Sequence, residues 1–489
     1  MKFTIKTIGC KVNTYESNKI KNELLNLGFE YLDVKDKESY KDLDFYIVNT
    51  CSVTSIADKK SRQMLHLAKK YNENVKVIAI GCLVNSLTIG ADNIRPIYYA
   101  KKDSNNEVST ENFEAKNVLD GVDYLIPNDE KDKLPELILS LSNNVGTSPK
   151  TVGANYTSPH RIRAFIKIQD GCDEYCTYCL IPYLRGHIRS RDEDDILSEI
   201  KECIKQGMKE VVLTGIHLSS FGIDKVKNSD GGAHLTYEST GAISVARDKL
   251  ISLLNQIANL KVNIGGETRE LERIRLGSLE PRIIDEKFLS AIAPKIVTDN
   301  VNDKVIYRAT ETYKVHFDTA LSKKFCANFC LSLQSGCDKT LKRMNRHYTV
   351  NDFEMACNLI RKYIPYASIT TDVIVGFPGE TENDFEESLS FVKRMRFYNP
   401  NIFPYSIRKG TRAAEFTDQL SNSIKHDRSV KMIKECEIIS DEVEKEILAL
   451  NEKIFGRDAN KILVEEIIEK DGNKYKVGYT KEYIKRVEQ

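Results

Sequence analysis

Cys172, Cys176 and Cys179 stand in a Cys-x3-Cys-x2-Cys spacing inside GCDEYCTYC. So close a set lets one loop wrap three thiolates around three irons of a [4Fe–4S] cube, leaving the fourth iron without a protein ligand. An open metal position is where a substrate or cofactor binds. S-adenosylmethionine can chelate such an iron through its amino and carboxylate groups, which places its sulfonium to receive an electron and break homolytically. Two plainer readings compete: a structural zinc site, or three unrelated core thiols. Zinc asks for a fourth ligand, and the nearest candidate, His187, follows only after Pro182 and an apolar run.

A second set is scattered: Cys10 follows Gly9, Cys51 follows Asn49 and Thr50, and Cys82 follows Gly81. Each ends a strand-like run, FTIKTIG, DFYIVNT and VKVIAIG. Open α/β sheets build their sites at strand carboxyl ends, so three ligands can converge there despite long gaps in sequence. Taken singly, each is read as a buried strand-end thiol. Cys203, Cys326, Cys330, Cys337, Cys357 and Cys436 remain. The Cys326-x3-Cys330 pair enters a strand with no further ligand near it, and all six are assigned structural roles.

The elements that must position these residues follow from periodicity. The three N-terminal runs alternate with helical patterns at Glu16–Leu27 and Asp58–Tyr71, which predicts an open parallel α/β domain over residues 1–142. Residues 143–160, rich in Ser, Asn, Gly, Thr and Pro, read as a linker. Over 161–416 six strand-like runs recur between helical segments: AFIKIQ, EVVLTG, RIRLGS, LSLQSG, SITTDVIVG and NIFPYS. That repetition predicts a partial (βα)6 barrel, with its active site at the strand carboxyl ends. Thr214–Gly215, Ser278, Glu280, Gln334–Ser335, Asp372 and Gly376 lie at those ends and are candidates to hold the ribose, adenine and methionine parts of the cofactor; the alternative is that the glycines merely turn the chain. Gly222–Arg247 and about Lys295–Lys324, which contains a VIYR run, read as inserted surface excursions without chemistry. Residues 417–450 form a helical connector, and 451–489 a small β module with a hairpin turn at Lys470–Asp471–Gly472–Asn473. The fold class expected is therefore α/β with a small C-terminal β module.

Across 489 residues, 41% hydrophobic and 29% charged with a net charge of +1, the composition is that of an ordinary globular protein with two to four domains and excludes a disordered or basic-tail protein. Any nucleic-acid contact must come from local patches. Arg185, His187, Arg189 and Arg191 beside Tyr183, and Lys339, Lys342, Arg343, Arg346 and His347 beside Tyr348, have the types that pair phosphates and stack unpaired bases; a solvated charged face is the alternative. MKFTIKTIGC is too short and polar for a secretory signal, and no stretch approaches a membrane span, so a cytoplasmic protein with neither membrane nor DNA partner is expected. In that reducing compartment the twelve cysteines are not read as disulfides.

Several independent segments carry a family resemblance: GCKVNTYES (9–17), NTCSVTSIADKKSRQ (49–63), Gly81–Cys82, DGCDEYCTYCLIPYLRGHIRSR (170–191), RLGSLEP (275–281), SLQSGCDKTLKRMNRHYT (332–349) and TDVIVGFPGETENDF (371–385). The cysteine loop resembles the radical S-adenosylmethionine signature. Together the segments resemble the methylthiotransferases, and Lys11–Val12–Asn13–Thr14–Tyr15–Glu16–Ser17 is nearest to the branch acting on N6-threonylcarbamoyladenosine at position 37 of transfer RNA, beside the anticodon. The C-terminal module resembles the start of a TRAM domain and is expected to be a shortened one.

The resemblance implies two [4Fe–4S] clusters, one on Cys172, Cys176 and Cys179 and a second on Cys10, Cys51 and Cys82. It implies two S-adenosylmethionine molecules per turnover, one methylating sulfur at the N-terminal cluster and one cleaved to a 5′-deoxyadenosyl radical that takes hydrogen from adenine C2. It further implies an electron donor such as flavodoxin or ferredoxin, and a sulfur source. Sister branches acting on isopentenyl-adenosine or on a ribosomal protein, and a non-catalytic iron–sulfur RNA-binding protein, are the alternatives.

Overall fold

Every residue of Phe45–Thr50 is buried, and its side chains alternate between two cores: Phe45 and Ile47 pack on one face with Phe3, Ile5 and Leu24, while Tyr46 and Val48 pack on the other with Leu65 and Val77. Only a central parallel strand with both faces covered reads this way. In the computed structural model it is β3 of a five-stranded parallel sheet, formed with β1 (Lys2–Thr7), β2 (Glu30–Tyr31), β4 (Lys76–Gly81) and β5 (Tyr124–Ile126) in the order β2-β1-β3-β4-β5. The connecting helices are α1 (Lys11–Asn26), α2 (Ser55–Leu65) and α3 (Cys82–Ser86), with α4 (Leu134–Leu141) after β5. Thr54 caps α2 by accepting from the Ala57 amide at 3.1 Å, which fixes where the chain leaving β3 turns helical.

The structure describes residues 1–87, 119–142, 162–226, 237, 239, 241–298, 313–470 and 472–489. They divide into two units, Met1–Tyr156 with Tyr178–His187 and Ser406–Glu415, and Thr157–Thr177 with Ile188–Tyr405 and Phe416–Gln489. The short helix α5 (Ile181–Arg185) therefore belongs to the first unit, not to the barrel that contains Cys172 and Cys176. The expected linker, 143–160, and the VIYR run lie outside the described residues.

In the second unit the six expected strands appear in sequential parallel order. β6 (Arg163–Lys167), β7 (Glu210–Thr214) and β8 (Arg273–Leu276) form one sheet; β9 (Ser278–Leu279), β10 (Asn328–Gln334), β11 (Ser368–Val375) and β12 (Asn401–Pro404) form the next. An Ile274–Phe325 bridge links the strand edges where the sheets meet, and β6 and β12 stay at the ends, as a partial barrel requires. The intervening helices include α6 (Glu193–Lys205), α7 (Ala242–Ala258), α8 (Asp338–Arg343), α9 (Val350–Tyr363) and α10 (Glu382–Met395); Thr349 with Asp352 and Thr381 with Asp384 form capping boxes that set the starts of α9 and α10.

Gly222–Arg247 is not a surface excursion. Ile223 and Tyr237 are buried, Asp224 accepts from the Ser190 amide and hydroxyl, and Ala242 and Ala246 already belong to α7. Within this stretch 227–236, 238 and 240 lie outside the described residues. The second excursion closes on an antiparallel pair, Lys295–Thr298 with Tyr313–His316. The connector is one helix, α11 (Asn422–Phe455), begun by the Ser421 cap. The C-terminal module is an antiparallel sheet of β13 (Leu463–Lys470), β14 (Asn473–Tyr479) and β15 (Lys485–Glu488), with Lys470 paired to Asn473 across the expected turn.

That sheet docks on the amino ends of the barrel strands, opposite the ends where the site lies. Arg273, first in β8, donates to the Tyr479 and Lys461 carbonyls at 2.6 and 3.0 Å, and Ser368, first in β11, donates to the Glu482 carbonyl. Arg163 and Arg275 share Glu210 at 2.8 and 2.9 Å, and Arg275 stacks on the Tyr483 ring at 3.7 Å.

Candidate functional site

In the first unit, Gly9–Cys10, Thr50–Cys51 and Gly81–Cys82 bring three thiols to the carboxyl end of adjacent strands. Gly9 has φ +123°, and a Cβ there would stand 3.0 Å from the Cys51 Cβ; Gly81 has φ +102°, and a Cβ would meet the Thr50 carbonyl at 2.5 Å. Both glycines are needed for the strand ends to approach this closely. Cys51 and Cys82 are buried and Cys10 is exposed, and none of the three is in a disulfide. Burial pushes the Cys51 thiol up to about 11; the Cys82 and Cys10 thiols push the same way, and Arg185 opposes them. The Cys10 thiol points at Asn13 Oδ1 at 3.6 Å, and Asn128 Nδ2 approaches Cys82 Sγ at 3.8 Å. Beneath them Glu16 takes a forked pair from Arg185 at 3.0 and 3.3 Å and a bond from Lys131 at 2.5 Å.

In the second unit the chain leaves β6 and is hooked by Gln169, whose Nε2 donates to the Asp170 and Gly171 carbonyls at 2.8 Å each, directly before Cys172. Gly215 exists for this hook: a Cβ there would stand 2.8 Å from Gln169 Oε1, which accepts from the His217 amide. Arg346 Nη1 donates to Cys176 Sγ at 3.1 Å while its Nε donates to the Tyr348 hydroxyl. Asn345 and Thr177 tie the same loop to the segment after α8.

Near the strand carboxyl ends stand two buried polar side chains, His217 and Glu174. His217 stands edge-on to Tyr237 at 4.5 Å, and neither ring nitrogen has a hydrogen-bond partner among the described residues. Burial, with Arg346 and Arg282 nearby, holds its pKa down to about 3, so the ring is neutral, one nitrogen donating and the other accepting. Glu174, inside the cysteine loop, likewise has no hydrogen-bond partner on either oxygen; Arg282 Nη2 is 3.7 Å away and His347 Nε2 4.0 Å. Burial raises its pKa despite the two arginines.

Two family models match: the radical SAM superfamily over residues 166–392 and the uncharacterized protein family UPF0004 over residues 2–95. The threonylcarbamoyladenosine tRNA methylthiotransferase MtaB of Aquifex aeolicus is 31% identical over 95% of this chain and 93% of its own length. The chain belongs to the radical S-adenosylmethionine methylthiotransferase family. MtaB of Bacillus subtilis is 30% identical over 98% of this chain and 89% of its own length, and the tRNA-2-methylthio-N(6)-dimethylallyladenosine synthase of Clostridium botulinum (strain Hall) is 30% identical over 96% and 88%. Among solved structures, the radical S-adenosylmethionine methyltransferase TsrM of Kitasatospora setae covers 84% of this chain and 76% of its own at a TM-score of 0.49 and 12% identity.

Members of this family use two [4Fe–4S] clusters and S-adenosylmethionine. Among the described residues no three His, Cys, Asp or Glu side chains stand in a closed metal-binding array. The donor chemistry nevertheless fits: three soft thiols at one sheet end near two buried cations, and a sulfur-directed guanidinium at the second loop.

The expected cofactor contacts divide. Ser278 is exposed, with Oγ 3.2 Å from Cys330 Sγ. Glu280 is 2% exposed and engaged by Tyr237 and by the Arg282 backbone and guanidinium. Thr214 is buried and its carbonyl accepts from Ile168; Ser335 is buried and its hydroxyl accepts from the Cys337 amide; Asp372 accepts from Asn401. Gln334 closes β10 at φ +68°, and Gly376 turns the chain at φ +71°, its amide on Glu380 and its Cα face against Lys425. Of the expected RNA contacts, Arg185 and Tyr348 are buried, Arg346 is aimed at Cys176, and Arg343, Lys339 and Arg191 pair with Asp418, Asp384 and Glu199. Tyr183, His187, Arg189 and Lys342 are exposed. Among the described residues no helix is long and apolar enough to cross a membrane.

Proposed function

We propose that this methylthiotransferase acts on transfer RNA and converts N6-threonylcarbamoyladenosine at position 37 to its 2-methylthio derivative, in the cytoplasm. Cys172, Cys176 and Cys179 would hold the cluster that binds S-adenosylmethionine, and Cys10, Cys51 and Cys82 the second. When bound, the groups supply hydrogen abstraction from a C–H bond that no side chain is basic enough to deprotonate, together with a methylated sulfur. A low-potential electron donor such as flavodoxin or ferredoxin and a sulfur source complete the reaction.

Relatives of both names stand at 30–31% identity, so identity does not choose between them. What supports the threonylcarbamoyl substituent is the pair of buried polar side chains His217 and Glu174, whose polar atoms have no hydrogen-bond partner among the described residues. A dimethylallyl group is wholly apolar and would leave the His217 nitrogens and the Glu174 oxygens without a hydrogen-bond partner, at about 1–3 kcal/mol for each such group. A threonylcarbamoyl group brings a carboxylate, a hydroxyl and urea N–H groups, which match a neutral imidazole, a guanidinium and a carboxyl. Gln169 and Arg346 meanwhile hold the cysteine loop to its strand and to the segment after α8.

The test is turnover by reconstituted full-length protein of two transfer RNAs that differ only in the N6 substituent, with nucleosides read by mass spectrometry. The threonylcarbamoyl transfer RNA should be converted at least tenfold faster. Preference for the dimethylallyl substrate would overturn this reading.

A further inference from the structure

The segment that follows the Cys-x3-Cys-x2-Cys loop is built into the other cysteine site. Leu180 and Leu184 pack on Cys82 as one buried cluster. The Leu184 carbonyl accepts from Asn85 Nδ2 at 3.1 Å and from Asn128 Nδ2 at 3.0 Å, and Asn128 is the amide that approaches the Cys82 sulfur. The Asn128 backbone amide in turn donates to Asn85 Oδ1 at 2.9 Å, so both side chains are oriented. One residue on, Arg185 donates through Nη2 to Asn13 Oδ1 at 3.0 Å, the oxygen at which the Cys10 thiol points. Asn13 is fixed from its other end, donating to the Ile8 and Thr50 carbonyls that precede two of the cysteine-bearing turns. Two successive residues, Leu184 and Arg185, thus hold the amides that face two of the three thiols.

The charges point the same way. Arg185, Lys131 and Glu16 have side-chain exposures of 1%, 7% and 8%, and two cations share one carboxylate. Both cations are buried in the unit that carries the cysteine turns, where positive charge favours a negatively charged group. A [4Fe–4S] cube in its two-plus state on three thiolates would carry one net negative charge, which such cations favour.

We propose that Arg185 is a positioning residue and counter-charge for the Cys10/Cys51/Cys82 site, so that the chain leaving one cysteine loop forms the outer shell of the other. This rests on the ligand assignment made above but not on the choice of substrate. Removing such an outer-shell partner weakens metal affinity by about 10–100-fold, and removing a buried positive charge beside a cluster makes it harder to reduce. Arg185→Met should still fold, because Lys131 and Glu16 then remain as a balanced pair.

The experiment uses full-length protein reconstituted anaerobically in a Cys172→Ala/Cys176→Ala/Cys179→Ala background, which leaves one cluster. Iron content, resistance to a chelator, midpoint potential and the electron paramagnetic resonance of the reduced cluster are measured with Arg185 intact, as Arg185→Met and as Arg185→Lys; exposed Arg189→Met is the control. Arg185→Met should lose iron to chelator about tenfold faster or more and show a lower potential, while Arg185→Lys recovers the potential but not the chelator resistance, having charge without the fork to Asn13. In the unmutated cysteine background Arg185→Met should still form 5′-deoxyadenosine. A folded Arg185→Met protein with wild-type potential and chelator resistance overturns the proposal alone. A background protein that holds no cluster even with Arg185 present overturns the ligand assignment and the proposal with it.

Discussion

Arg185 and Arg346 show how far residue type carries without exposure. Both look in sequence like phosphate contacts, because a basic residue beside an aromatic in a polar stretch is the commonest form of an RNA-binding patch. Both instead face thiols, one through Asn13 and one directly. Arg346 Nη1 on Cys176 Sγ gives a prediction of its own. A charge-bearing donor to a cluster sulfur stabilises the reduced, more negative state. Arg346→Met should therefore lower the midpoint potential of the cluster held by Cys172, Cys176 and Cys179, by about 59 mV for each tenfold change in the one-electron equilibrium. Redox titration of that cluster in a Cys10→Ala/Cys51→Ala/Cys82→Ala background reads it, and an unchanged potential with full iron content would show that the contact does not tune the cluster. The six cysteines stand out as candidates in the sequence because one close spacing, three strand-end positions and their flanks mark them. His217, Glu174 and Asn128 were not: each is an ordinary polar residue in sequence, and only burial without a partner, or a sulfur nearby, sets it apart.

At the scale of elements, period and strand length located all six barrel strands and the three cysteine-bearing strands, since buried parallel strands are runs of apolar residues whatever surrounds them. What the sequence did not show was where the C-terminal hairpin docks. Tyr483 stacks on Arg275, Arg273 reaches two of the module's carbonyls, and Ile484 is wholly buried against Val443 and Ile447. The sheet is a floor for the barrel. Glu482, in the turn between β14 and β15, is 3% exposed, and burial raises its pKa above the usual 4.5. Because the folded value is raised, the fold favours the protonated carboxyl. Its stability is full below the unfolded-state pKa and declines as pH rises from there through the raised value. Glu482→Gln keeps the shape and removes the titration. The variant should match the wild type near pH 4 and be more stable at pH 7, by about 1.4 kcal/mol for each unit of the shift. Urea unfolding across that range measures it, and a variant less stable at pH 7 would mean that the ionised carboxylate is held favourably.

For the whole molecule, nearly equal numbers of acids and bases give a net charge of +1, so no global field steers a polyanion and binding must rest on local exposed groups such as Tyr183, His187, Arg189 and Lys342. The more consequential feature is how the chain is partitioned. The first unit takes Met1–Tyr156 and then recruits Tyr178–His187 and Ser406–Glu415 from later in the sequence. Each recruited segment serves a cysteine turn: Leu184 and Arg185 hold the amides at Cys82 and Cys10, while Arg408 donates to Ser52 Oγ and Asp58 Oδ2 at 2.8 and 2.9 Å, bracing the residue after Cys51. The domain boundary drawn from sequence at residue 142 therefore contains all three N-terminal thiols but not the residues that orient them. A fragment ending at residue 156 keeps the five-stranded sheet and both of its apolar cores, so it should fold. It takes the Arg185 fork from Glu16 and the Leu184 carbonyl from Asn128. Reconstituted alongside the full-length Cys172→Ala/Cys176→Ala/Cys179→Ala protein, the fragment should lose iron to chelator about 10–100-fold faster, the range expected when outer-shell partners are removed. Equal retention of iron by the two would show that the first 156 residues hold their cluster unaided, and that the later segments are placed there by chain connectivity alone.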